Sequence, residues 1–277
     1  MFLDFFSKVY VINLRRRIDR REFMQCQLDR CGIPFEFFEA SEHQDGSIGL
    51  LMTMKRLFRH ALSQHQTNIA VFEDDCTFLV QDPVSFLKEV LPQLPKDYSL
   101  FYLGLNLIDR PIRMSENILK VVDCFSTHSV CYSANIMREI LEELERIPDG
   151  QRKPYDILLR ESFVGRGQSY CTFPMLATQN ESHSDIENNN PKWGHLMAMS
   201  FALHTKNMRS MATEFVECPH GHVINGKLPI VDFNKFELQH PELVGMPCDC
   251  KKFIYQEAEC GCSVKQWEVK WIENPNR

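Results

Sequence analysis

At 277 residues with a net charge of −6, 44% apolar and 25% charged residues, the chain has the make-up of a soluble globular protein with room for one main core and an appendage. The acidic balance gives no basis for nucleic-acid binding, and no window approaches the ~20 apolar residues that cross a bilayer. The 11 cysteines are odd in number and scattered, which fits reduced thiols or metal ligands in a cytoplasmic setting better than a disulfide framework; Met1 to Leu14 carries no basic leader or long apolar run, so no secretory signal is expected.

The β-branched and aromatic run Lys8 to Leu14 reads as a strand, followed by a polar turn and a helix from a cap at Asp19 to about Arg30, stopped by Gly32 and Pro34. Phe35 to Ala40 is a second strand. Leu51, Met54, Leu57, Phe58, Ala61 and Leu62 recur at helical spacing across Ile48 to Gln64. Four apolar residues, Ile69 to Phe72, then form a strand buried on both faces. Pro83 opens a helix to Leu91. Ser99 to Gly104, Leu119 to Asp123 and Thr127 to Tyr132 are further strands, Ala134 to Arg146 is an amphipathic helix, and a helix over Tyr155 to Phe163 precedes a strand over Ser169 to Phe173. Strands alternating with helices predict a three-layer α/β sandwich. Asn180 to Pro191 reads as a mobile polar loop, and Met197, Met199, Phe201, Leu203 and Met208 as core packing. Beyond about residue 210 the character changes, which predicts one domain over 1–210 and a Cys/His-rich extension over 211–277.

The organising stretch is Glu73-Asp74-Asp75, directly at the carboxyl end of a buried strand. Ligands bind at that end of open parallel sheets. Carboxylates crowded there raise one another's pKa unless they share a cation, and a hard ion such as Mg²⁺ or Mn²⁺ also neutralises a diphosphate. A solvated acidic turn is the plain alternative. His183 could complete a metal shell or simply face water. In the extension, Cys218, His220, His222, Cys248, Cys250, Cys260 and Cys262 supply soft or borderline ligands for a structural Zn²⁺, with unliganded thiols or a disulfide as the alternatives.

The ordered set Val9-Tyr-Val-Ile-Asn-Leu14, Asp19-Arg20, Gly46-Ser-Ile-Gly49, Val71-Phe-Glu-Asp-Asp75, Tyr102-Leu-Gly104, Tyr132-Ser133, Pro154-Tyr-Asp156, Pro174 to Gln179 and Ser184-Asp-Ile186 resembles glycosyltransferase family 25. That family includes lipooligosaccharide and collagen galactosyltransferases. The resemblance implies a GT-A type fold, a three-layer α/β/α sandwich with a mostly parallel sheet. It also implies a UDP-sugar donor, a glycan or protein-hydroxyl acceptor, a divalent metal at the acidic motif, and transfer of a hexose such as galactose with inversion. Asn13, Leu14 and Arg20 would lie near the nucleotide, and Asp75, helped by Glu73, would hold the metal. Asp156 would be the base that takes the acceptor proton, with helix capping as its other use and Asp185 as a second candidate. Gln179 would read sugar hydroxyls or satisfy a loop. The chain departs from the family at Ser47, Leu50, Thr53 and Met54, which removes polar groups from the donor pocket. A nucleotidyltransferase, or a degenerate binding module stapled through its tail, are the rival readings.

Overall fold

The computed structural model describes residues 5–180 and 193–206, together with the backbone of the strands at 209–210, 213–217, 223–227, 252–255 and 267–270. The chain divides into two compact units, 1–208 and 209–277.

In the first unit, β1 (Lys8–Asn13), α1 (Ile18–Arg30) and β2 (Glu36–Glu39) lead into α2 (Gly46–Ser63) and β3 (Asn68–Glu73). β4 (Cys76–Phe78), α3 (Pro83–Val90), β5 (Leu100–Tyr102), β6 (Asn106–Leu107), β7 (Ile112–Arg113), β8 (Ile118–Lys120) and β9 (Cys124–Phe125) follow. The unit continues with β10 (Ser129–Ser133), α4 (Ala134–Arg146), α5 (Tyr155–Ser162), β11 (Ser169–Thr172), β12 (Ala177–Gln179) and α6 (Trp193–Lys206).

The helices start where the sequence supplies caps. The Asp45 side chain accepts from the Ser47 amide at α2, Asp82 from Ser85 at α3, and Ser133 from Ile136 at α4. Each such bond satisfies an amide that has no partner within the helix and contributes about 1 kcal/mol. α1 departs from expectation. It begins at Ile18, one residue before Asp19, and the Asp19 carboxylate pairs with Arg17 at 2.9 Å rather than capping the helix.

Across the main sheet the strands of this unit stand in the order β7-β8-β11-β5-β10-β3-β1-β2. β2, β1 and β3 are mutually parallel; β10 runs against both β3 and β5; β11 is parallel to β5, and β8 opposes it. Most strands therefore point one way, with β10 and β8 reversed. Strand alternation sends side chains to opposite faces. Tyr10, Ile12, Ile69 and Val71 pack with α2, α4 and α5 through Leu57, Phe58, Ile136, Ile140 and Leu158. Val9, Val11, Ala70 and Phe72 pack with α1 and α3 through Met24, Leu28, Leu87 and Val90. The two cores make the three-layer α/β/α sandwich expected from the sequence, and every parallel strand near the centre ends at one edge of it.

Small elements escaped the sequence patterns. β4 pairs with β12, and β6 with β9, in two short ribbons. α6 carries Met197 and Phe201 into the core, but Met199 and Leu203 are 57% and 68% exposed, so the expectation that both are core residues does not hold. Helical geometry explains this: Met197 and Phe201, four apart, share a face that Met199 does not. Met208 and the loop 181–192 lie outside the described residues.

In the second unit the strands Thr213–Glu217, Val223–Lys227, Lys252–Tyr255 and Trp267–Lys270 form an antiparallel sheet. The zinc candidates Cys218, His220, His222, Cys248, Cys250, Cys260 and Cys262 lie outside the described residues. Among the described residues no helix is long and apolar enough to cross a membrane.

Candidate functional site

β1 and β3 lie side by side, with Ile12 opposite Glu73, so both strands leave the sheet at the same point. The space beyond is a cleft of about 560 Å³. Leu14 and Arg20 reach it from the β1–α1 segment, Ser41, Ser47 and Thr53 from the start of α2 and the loop before it, and Asp156 from α5. Glu73, Asp74 and Asp75 form its floor, with Gln179 beside them.

The three carboxylates have different surroundings. Asp74 is the most buried of the three. It accepts from Asn13 Nδ2 at 2.8 Å and from Arg20 Nη1 at 2.7 Å. The Asp74 and Arg20 side chains are only 9% and 11% exposed, so this is a buried, charge-assisted pair whose loss would strand a charge. The same Arg20 Nη1 reaches Asp75 Oδ2 at 3.2 Å. Gln179 also donates to the Asp75 side chain, while the other carboxylate oxygen, Oδ1, is buried without a hydrogen-bond partner. Glu73 accepts from Thr127 Oγ1 at 2.7 Å, and its backbone amide donates to the His128 carbonyl at 2.9 Å.

These surroundings set the protonation. Burial, then the charges of Asp75, Asp74 and Asp156, push the Glu73 carboxyl up to about 8 despite the Thr127 hydrogen bond. Burial likewise pushes Asp75 up to about 6, opposed by Arg20 and reinforced by Asp74. Two acids that resist ionisation side by side, one with an unsatisfied buried oxygen, fit a hard divalent cation that would take their charge. Asp74 lines the same cleft, with its two oxygens already bonded to Asn13 and Arg20. Among the described residues no group of three His, Cys, Asp or Glu side chains stands arranged to hold a metal, so a bound ion would draw its remaining ligands from water or substrate oxygens, or from outside the described residues.

Of the other residues singled out in the sequence, Leu14, Arg20, Gln179 and Asp156 line the cleft, and Asn13 lies beneath it, 2% exposed, holding Asp74. Asp156 stands in the first turn of α5, where Pro154 occupies the cap position, and Asp156 Oδ1 accepts from the Ile157 amide at 2.8 Å. His183 and Asp185 lie outside the described residues. Sequence reasoning missed Thr127, which reaches Glu73 because Ser126 before it adopts a left-handed φ of 83° and β10 enters the sheet in reverse beside β3. It also missed Trp193, Phe125 and Asn106 on the cleft wall. A Cβ on Gly104 would collide with the Ala177 carbonyl oxygen and stand 2.6 Å from His128 Nε2, so only glycine lets the segment after β5 pass this close behind the site.

Residues 6–47, which take in β1, α1, β2 and the start of α2, match the sequence model of glycosyltransferase family 25 (LPS biosynthesis protein). The chain is thus family 25-like over its opening β-α-β unit. No curated protein matches it. Among solved structures it is similar to a glycosyltransferase involved in the glycosylation of the major capsid of PBCV-1, at 8% identity over 59% of this chain and 80% of that one, with a TM-score of 0.40. A Drosophila β-1,4-galactosyltransferase 7 variant in complex with manganese, UDP-Gal and xylobiose is similar at 12% identity over 82% and 96%, TM-score 0.37. The inositol-1-phosphate CTP transferase of T. maritima is similar at 14% identity over 72% and 77%, TM-score 0.35.

Proposed function

We propose that the protein is a metal-dependent glycosyltransferase that moves a hexose, galactose by the family resemblance, from a UDP-sugar to an acceptor hydroxyl with inversion. The observation that carries this reading is the exit of β3. There Glu73 and the half-satisfied Asp75 share a cleft directly above the opening unit that matches family 25. The donor occupies the half of the cleft walled by Leu14, Arg20, Ser41 and the start of α2.

Asp75, helped by Glu73, holds the cation, and His183 is a further ligand from outside the described residues. Mn²⁺ or Mg²⁺ bound there supplies counter-charge to the departing diphosphate. The chain's own groups do the rest. Arg20 and Asn13 fix Asp74, and Arg20 and Gln179 fix one oxygen of Asp75, so the other oxygen is presented without reorganisation. Thr127 holds Glu73 in the same way. Asp156 takes the proton of the acceptor hydroxyl as its oxygen bonds to the anomeric carbon and the bond from that carbon to UDP breaks on the opposite face. Asp185 is the second candidate for that role.

Incubation with a panel of UDP-hexoses and Mn²⁺ tests this, because a transferase slowly hydrolyses its own donor. UDP release that needs both the cation and Asp75 supports the reading. No UDP from any donor, with or without added sugars, overturns it.

A further inference from the structure

The cleft has two unlike halves. Around β1 and α2 its lining includes Arg16, Arg20 and Ser41, whose cationic and polar groups suit a nucleoside diphosphate. Toward α6 the wall is Asn106, Ile108, Phe125 and Trp193, aromatic and neutral. The Phe125 ring is braced by a cation, and the partly buried Trp193 packs against the core on the α2 side of the sheet. The Arg160 guanidinium lies 4.5 Å from the Phe125 ring centroid and is itself held by Asp123 through two bonds of 2.7 Å, so that ring is braced from one side. Trp193 opens α6, and a Cβ on the next residue, Gly194, would stand 2.7 Å from the Gln179 carbonyl oxygen. The missing side chain lets the helix start abut the strand end whose glutamine holds Asp75, and Trp193 lines the same cleft as the acidic centre.

A pyranose ring has an apolar face of C–H groups and a rim of hydroxyls. Rigid aromatic faces match the first, and an amide such as Asn106, with donors and an acceptor, matches the second. A serine or threonine side chain has no such face to offer. We propose that this half of the cleft is an acceptor subsite for the pyranose ring of a glycan, with Trp193 as its platform. The inference rests on the transferase reading and narrows its acceptor to a sugar.

The test uses the full chain with a panel of methyl hexopyranosides and disaccharides. In the first arm, UDP release from the donor is measured with and without each sugar. The best acceptor raises UDP release in the native protein, and Trp193→Ala lowers the ratio of transfer to donor hydrolysis at least about tenfold, chiefly through acceptor KM. In the second arm, tryptophan fluorescence is followed as the same sugars are added to donor-free protein, and Trp193→Phe removes the change even if the alanine variant fails to fold. The inference is overturned if no sugar alters either signal, if the transfer ratio in Trp193→Ala matches the native one, or if the fluorescence change survives in Trp193→Phe. A protein that releases no UDP at all removes the transferase reading, while the fluorescence arm still decides whether sugar binds at Trp193.

Discussion

Replacing Glu73 by glutamine isolates the cost of keeping a carboxylate in the cleft. Glutamine has nearly the same shape and still accepts from Thr127, so packing and that hydrogen bond survive. In the native protein the folded state keeps a proton on Glu73 up to about 8, while the unfolded chain gives it up near 4.5. Between those values the folded state binds more protons, so the free energy of unfolding falls as pH rises. A shift of that size, at 1.36 kcal/mol per unit, sets a ceiling of about 5 kcal/mol, and water in the open cleft reduces it to roughly 2 kcal/mol. For a domain of this size that is on the order of 5 °C in Tm. Thermal unfolding in EDTA from pH 5 to pH 8.5 should therefore show the native Tm sliding downward. The glutamine variant should keep only the earlier part of the slide, which ends near pH 6 and comes from Asp75, raised from 3.8 to about 6. Mn²⁺ added at pH 8 should stabilise the native protein more than the variant. Parallel pH profiles for the two proteins, in EDTA, would refute the claim that this acid is held against ionisation.

Other outcomes test the remaining parts. Asp75→Ala should abolish UDP release and weaken Mn²⁺ binding by calorimetry while circular dichroism stays native. Asp156→Asn should lower kcat by about 10²-fold or more with donor KM little changed, the pattern of a lost proton acceptor; an unaltered kcat would leave that residue only its first-turn bond to the Ile157 amide. Gly104→Ala should cost at least about 3 kcal/mol in urea unfolding or leave the protein insoluble, because backbone and a buried ring stand where the methyl group must go.

Long, periodic elements were legible in the sequence. The helical period over Ala134–Arg146 matches α4 residue for residue, and four consecutive apolar residues mark the buried strand that ends at Glu73. What could not be read depends on contacts far apart in the chain. β6 and β9, of two residues each, have no period to detect. The bonds that hold Asp74 come from Arg20 and Asn13, more than fifty residues earlier. Runs of acidic residues show that charge is present, but the sequence pattern does not show which member is neutralised. The expected burial of Met199 and Leu203 fails for a related reason: apolar character alone does not say which face of α6 a residue occupies.

The reversal of β10 has a consequence for how the site tolerates change. Because this strand travels against its neighbours, the segment entering it arrives where β3 departs, and Ser129 stands opposite Phe72. One wall of the cavity is therefore made by incoming chain and its floor by outgoing chain. Lengthening the connection between β9 and β10 would leave the exit of β3 unchanged yet withdraw the hydroxyl that steadies its final carboxylate, so variation in that connection can retune the acid without touching the motif that contains it.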